Sequence, residues 1–205
     1  MNVTLFDYGA GNLHSLAKAL EGPDVTVRIE TDPRRAVVER PDVLVLPGVG
    51  AFGAAAERLA PGLDVMREAI LGGLPTIGIC LGMQLLFDES DEGGGAGLGV
   101  ISGRVTLLRA VRIPQIGWNA VEPAPDDALF AAAPLPIAYY ANSYVCRPDD
   151  ARVVTAWTEH EGDRFPAAVR AGCAVGVQFH PEKSSTQGVR FLRTFLDNVH
   201  STETK

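Results

Sequence analysis

Nine residues, Thr76-Ile77-Gly78-Ile79-Cys80-Leu81-Gly82-Met83-Gln84, constrain the fold of this 205-residue chain more than any others. An apolar strand ends, one cysteine stands between two glycines, and a helix-like run, Leu81 to Phe87, begins at once. A turn that sharp leaves no room for a Cβ where strand and helix meet, which is why G-x-C-x-G suits a nucleophile elbow. The rest of the first half agrees with a strand–helix alternation. Val3–Phe6, Val25–Ile29 and Val43–Leu46 read as short apolar strands. Asn12 to Leu20 reads as a helix with Leu13, Leu16, Ala17 and Leu20 on one face. Ala54 to Leu71 is helical in composition, with Pro61-Gly62 interrupting it. Near-continuous apolar strands between helices predict a mostly parallel α/β sheet covered on both faces. From Gly97 onward short strands punctuated by Gly and Pro predict a smaller antiparallel or mixed sheet appended to it. A last helix is expected from about Gln187 to Asn198. The Gly-rich stretch Asp91 to Gly99 reads as a loop inside one unit spanning 1–205, not as a linker.

Composition removes several classes of function. Eighteen Lys and Arg against 25 Asp and Glu give a net charge of −7 without a basic run, so nucleic acid is not an expected partner. No apolar stretch approaches the roughly 18–20 residues that span a bilayer, and the N-terminus does not read as a signal peptide. Cys80, Cys146 and Cys173 are odd in number and widely spaced, which fits free thiols in a reducing cytoplasm. His14, His160, His180 and His200 are scattered, so no metal site is expected.

By its local pattern alone Cys80 reads either as a nucleophile or as one more small buried hydrophobe. A helix N-terminus directly after it favours a thiolate. A second segment weighs on that choice. Val175-Gly176-Val177-Gln178-Phe179-His180-Pro181-Glu182 is an apolar strand that delivers a histidine at its C-terminal end, with an acid two residues later. The carboxyl ends of parallel strands gather active sites, so Cys80 and His180 are expected to converge. His180 then serves as general base and acid, and Glu182 holds its tautomer. Gly48-Val49-Gly50-Ala51-Phe52-Gly53 matches a dinucleotide-binding G-x-G-x-x-G, but the strand that follows ends in Cys80 instead of the acid a ribose needs. No cofactor is expected. The better use of this loop is to lend backbone N–H groups, with that of Leu81, to an oxyanion hole.

These residues resemble the class I glutamine amidotransferases, with Cys80, His180 and Glu182 as the triad. Within that family the resemblance is to the glutaminase subunits of imidazole glycerol phosphate synthase. It rests on Tyr8–Asn12 with Ser15, Leu46–Phe52, Gly78–Gln84, Ile116–Asn119 and Gly176–Ser184, and so covers almost the whole chain. The resemblance implies a flavodoxin-like fold and hydrolysis of glutamine to glutamate and ammonia. It implies that the ammonia passes to a partner cyclase, a (βα)8 barrel, which makes imidazole glycerol phosphate and an aminoimidazole carboxamide ribotide in histidine biosynthesis. It places Val49, Gly50 and Leu81 at the oxyanion, and Gly48, Gln84, Glu92 and Ser143 around glutamine. The Pro47–Gly50 loop is implied to hold an unproductive conformation until the partner is ligated. Asn12, Trp118, Tyr139 and Lys183 match positions near the cyclase and the ammonia passage. Read from the residues, Glu92 is also a candidate solvated acid, Trp118 a candidate core anchor, and Lys183 an ordinary exposed charge.

Two departures stand out. Gln115 and Asn142 occupy places where the family often has histidine, and neither carries a proton at neutral pH. They bear on coupling to the cyclase, not on the triad. The alternatives to this reading are another class I amidotransferase subunit, a non-catalytic protein on the same scaffold, and a cysteine peptidase on a related one. Pro47-Gly48-Val49-Gly50 speaks against the first. The complete set Cys80, His180 and Glu182 speaks against the second. Gln84, Glu92 and the Trp118 segment together speak against the third.

Overall fold

The computed structural model describes residues 1–9 and 13–203. Its first half runs β1 (Asn2–Phe6), α1 (His14–Leu20), β2 (Thr26–Glu30), α2 (Arg35–Val38), β3 (Val43–Leu46), α3 (Phe52–Leu59), α4 (Leu63–Leu71), β4 (Thr76–Ile79) and α5 (Leu81–Gln84). The second half adds β5 (Phe87–Ser90), β6 (Ile101–Leu107), β7 (Gln115–Ala120), β8 (Glu122–Pro123), α6 (Ala128–Ala132), β9 (Ile137–Asn142), β10 (Tyr144–Pro148), β11 (Val154–His160), β12 (Asp163–Ala171), β13 (Ala174–Val177) and α7 (Ser185–Glu203).

Eight strands form the main sheet in the order β2-β1-β3-β4-β13-β12-β11-β8. The first five are parallel and the last three pair antiparallel. Strand β3 shows why the sheet needs two helical layers: all four of its residues are buried. Val43 and Val45 face one core with Leu16, Leu20, Phe191 and Phe195, while Leu44 and Leu46 face the other with Phe52, Leu59 and Met66. Period two puts successive side chains on opposite faces, so an all-apolar strand is stable only when both are covered. In α3 the buried residues Phe52, Ala55, Ala56 and Leu59 recur at helical spacing, and Pro61 sits in the single 3-10 turn that separates α3 from α4.

The expected fold class holds, with three differences. The antiparallel strands are not all appended: β12, β11 and β8 extend the main sheet, and only β10-β6-β5 and β7-β9 stand apart. The helix expected over Leu81 to Phe87 stops at Gln84. Leu86 and Phe87 are drawn into pairing instead, with Val100 and Ile101 donating to Leu86 O and Phe87 set opposite Ile101 in β6. The final helix is longer than expected at both ends.

Candidate active site

Strands β4 and β13 are neighbours, with Ile79 opposite Val177, so the residues that follow them emerge side by side. Cys80 N donates to Val177 O at 2.7 Å, which fixes the cysteine at the lip of the sheet. Its backbone lies at φ 49°, a left-handed conformation that costs a non-glycine residue about 1–3 kcal/mol and is held by its surroundings. The two flanking glycines have the role the pattern assigns them. A Cβ on Gly78 would stand 2.4 Å from Gly82 O, and one on Gly82 would stand 2.0 Å from Leu46 O. Gly48 is also wedged, if less closely: its Cβ would stand 2.8 Å from Ile79 O and 3.0 Å from both Cys80 Cβ and His180 Cε1.

The strand expected to run on to Glu182 ends at Val177: Gln178 and His180 follow it, and Glu182 lies in the 3-10 turn Pro181–Lys183, which folds it back towards His180. His180 Nδ1 donates to Glu182 Oε1 at 2.8 Å, with both side chains shielded from solvent. Burial disfavours the imidazolium, but hydrogen bonds and charge from Cys80 and Glu182 outweigh it and push His180 from 6.5 up to about 9. Gln178 was not singled out by sequence reasoning. Its Nε2 donates to Cys80 Sγ at 3.4 Å, and the signal that identifies it is its position two residues before His180.

The raised value has a consequence for stability and a test. A group whose folded value lies above its unfolded one stabilises fully below about pH 6.5, and that contribution is lost as pH rises through about 9. We expect the His180 ring, followed by NMR, to titrate near 9 in the intact protein and to move downward in Glu182→Gln. A midpoint near 6.5 that ignores the Glu182 change would remove the charged pair from the site.

A cavity of about 300 Å³ opens beside Cys80. Gly48, Val49, Gly50 and Leu81 line it, and so do Gln84, Glu92 and Ser143. Glu92 is more than a solvated acid: its Oε2 accepts from Phe52 N at 3.0 Å, where the start of α3 favours a carboxylate. Gln84 is buried, and its Nε2 donates to Tyr144 O at 3.0 Å. Lys183 is exposed at the cavity's edge, and Asn142 lines it too. Asn12 lies outside the described residues.

Trp118 is not a core anchor. It is 56% exposed and meets Tyr139 edge-to-face, with ring centroids 6.1 Å apart. In the β7–β9 pair Trp118 is opposite Tyr139, Ala120 is opposite Ile137, and Gln115 is opposite Asn142. The usual polarity is inverted: Gln115 and Asn142 are buried, whereas Ile116 and Ile137 are 67% and 51% exposed. Exposed apolar side chains are thus collected on one face of the β7–β9 pair.

The chain matches the family model for class I glutamine amidotransferase over residues 4–199. An imidazole glycerol phosphate synthase subunit HisH from Symbiobacterium thermophilum is 46% identical over 93% of this chain and 91% of its own length. The HisH of Pyrococcus furiosus is 43% identical over 94% and 97%. The chain belongs to the class I glutamine amidotransferases, among the HisH subunits. Solved structures agree on the amidotransferase fold. A crystal structure of a glutamine amidotransferase superposes with a TM-score of 0.74 at 21% identity, covering 97% of this chain and 98% of its own. The glutaminase domain of Trypanosoma brucei CTPS, solved with acivicin, gives 0.67 at 17% identity over 96% and 94%. In this amidotransferase no helix among the described residues is long and apolar enough to cross a membrane. Nor do those residues hold a cluster of three metal-ligating side chains.

Proposed function

We propose that this amidotransferase is the ammonia-supplying glutaminase of an imidazole glycerol phosphate synthase, working as one 1–205 unit in the cytoplasm. The observation that carries the reading is that Cys80 and His180, the latter bonded to Glu182, line one cavity together with Glu92 and Gln84. Glutamine is a zwitterion with an amide tail. Glu92 takes the ammonium, Gln84 and Ser143 take the rest of the amino-acid end, and the amide carbon then stands over Cys80.

The steps follow from these placements. The Cys80 thiolate attacks the amide carbon, and the negative oxygen that forms is held by backbone N–H groups of Val49 or Gly50 and of Leu81. Protonated His180 gives its proton to the nitrogen, the C–N bond breaks, and ammonia leaves. Water, losing a proton to His180, then attacks the thioester, and the C–S bond breaks to return the electron pair to sulfur. Glu182 keeps the imidazole oriented and stabilises its charged form throughout. Gly50 sits at φ 116°, a conformation suited to glycine, in the loop whose rearrangement would switch the oxyanion hole on.

The ammonia acceptor is a partner cyclase built as a (βα)8 barrel. Its docking face is the exposed apolar side of β7–β9, where Ile116, Trp118, Ile137 and Tyr139 lie together. Ala141, one residue along the same face, lines the cavity. Lys183, exposed at the cavity's edge, belongs to that rim. Aromatic residues at the centre of an interface carry a large share of binding energy. The test is glutamate release by the purified chain, alone and then with the cyclase and its nucleotide ligand. Near-silence alone and strong turnover in the complex are expected, and Trp118→Ala should lose about 2 kcal/mol of docking affinity. Turnover indifferent to the cyclase would overturn the partner, and silence in both would overturn the activity.

A further inference from the structure

Three side-chain amides are linked behind the nucleophile, two of them, Asn142 and Gln84, lining the same cavity as Cys80. Asn142 Nδ2 and Gln84 Nε2 both donate to Tyr144 O, at 3.2 and 3.0 Å. Gln84 Nε2 also reaches Gln178 Oε1 at 3.5 Å, and Gln178 Nε2 donates to Cys80 Sγ at 3.4 Å. The direction of this row is set at its far end. A carbonyl only accepts, so Tyr144 turns the NH2 group of Gln84 inward. That NH2 group requires an oxygen from Gln178, and the Gln178 amide is left with its N–H aimed at sulfur. Gln84 and Gln178 are both buried, Gln178 completely, so bulk water does not replace either contact.

We propose that Gln178 is a positioning residue for the nucleophile and that Gln84 governs it. Gln84, which also lines the cavity, thereby links the hold on the amino-acid end of glutamine to the aim and ionisation of the Cys80 sulfur. The inference rests on the triad reading given above. Gln178 transfers no atom. Its N–H favours the thiolate over the thiol, first when sulfur attacks and again when the thioester C–S bond breaks and sulfur recovers the electron pair. His180 also hydrogen-bonds to Cys80, and a thiol there has Ala141 O at 3.9 Å as its acceptor, so Gln178 and His180 favour the anion against that one alternative. Gln84 never touches sulfur, so any effect it has on the thiol passes through Gln178.

The experiment is alkylation of Cys80 by iodoacetamide across pH, in a Cys173→Ser background because Cys173 is exposed. Gln178→Met should slow alkylation at pH 7 by roughly tenfold or more and move the half-maximal rate to higher pH. In steady state with the cyclase, Gln178→Met should lower kcat for glutamine about ten- to a hundredfold, with KM changed far less. The decisive variant is Gln84→Met. It should slow alkylation of the free protein comparably, and the double variant should be no slower than the slower single one. Full-rate alkylation in Gln84→Met, or strictly additive losses, would overturn the relay. Gln178→Glu keeps the shape and the acceptor for Gln84 but, when ionised, has no N–H; it should be as slow as Gln178→Met at pH 8. Wild-type alkylation in Gln178→Glu would reduce Gln178 to a packing residue. Failure of the underlying triad is read separately, as glutaminase turnover that survives Cys80→Ala.

Discussion

Cys80→Ala is expected to lower glutamine hydrolysis by about a thousandfold or more and to leave the ammonia-dependent synthase reaction of the complex intact. The size follows from the chemistry: without sulfur there is no thioester, and the remaining donors act only on direct attack by water. Folding should be little affected. The thiol side chain is small and the alanine Cβ fits where the cysteine Cβ already stands, at an unchanged φ of 49°. The pair of readouts separates the roles. If added ammonia fails to restore the cyclase product, Cys80 matters for docking or folding, and its assignment as nucleophile weakens. If glutamine hydrolysis survives, another group is the nucleophile.

Gly82→Ala is the second large effect, and it falls on the fold. The new methyl would lie 2.0 Å from the Leu46 carbonyl oxygen, backbone of the neighbouring strand β3, where no side chain is free to move aside. Either α5 lifts from the sheet or β3 shifts, and each move disturbs the Cys80 turn. A loss of about 3 kcal/mol or more is expected, a fall of about 6–12 °C in Tm for a chain of this size. The control is Gly94→Ala, where a Cβ meets nothing within 4 Å and φ is ordinary, and where the change should stay within about 0.5 kcal/mol. Equal melting temperatures for the two variants would mean that the elbow tolerates a Cβ, and the steric account of G-x-C-x-G would fall.

Much of this site is legible in the sequence because its constraints are local. A sharp turn needs its glycines within two residues of Cys80, and the short 3-10 turn after His180 brings Glu182, two residues on, back to its ring. The parallel core is legible for a similar reason, since a strand such as Val43–Leu46 with no polar residue implies cover on both faces. What escapes is set by distant pairing. Leu85-Leu86-Phe87 continues the apolar pattern of α5, and only the strand β6, which begins at Ile101, decides that Phe87 is extended. The strands after Gly97 are recognisable as strands, but not which of them join the main sheet. Gln178 is uncharged and directly follows an apolar strand, so its role appears only when β13 is placed beside β4. The face carrying Ile116 and Trp118 inverts the rule that apolar residues point inward. The partner proposed for that face is a second chain, and such information lies outside this sequence.

The most direct test of the central claim is labelling by a chloroketone analogue of glutamine, with the modified residue located by peptide mass. Cys173 is exposed and Cys146 is buried in the core, so reactivity by access alone and reactivity by site differ sharply. Stoichiometric labelling of Cys80, blocked by glutamine and leaving Cys173 free, is the predicted result. Labelling of Cys173, or labelling of Cys80 that glutamine does not slow, would contradict the assignment of this cavity as the glutamine site.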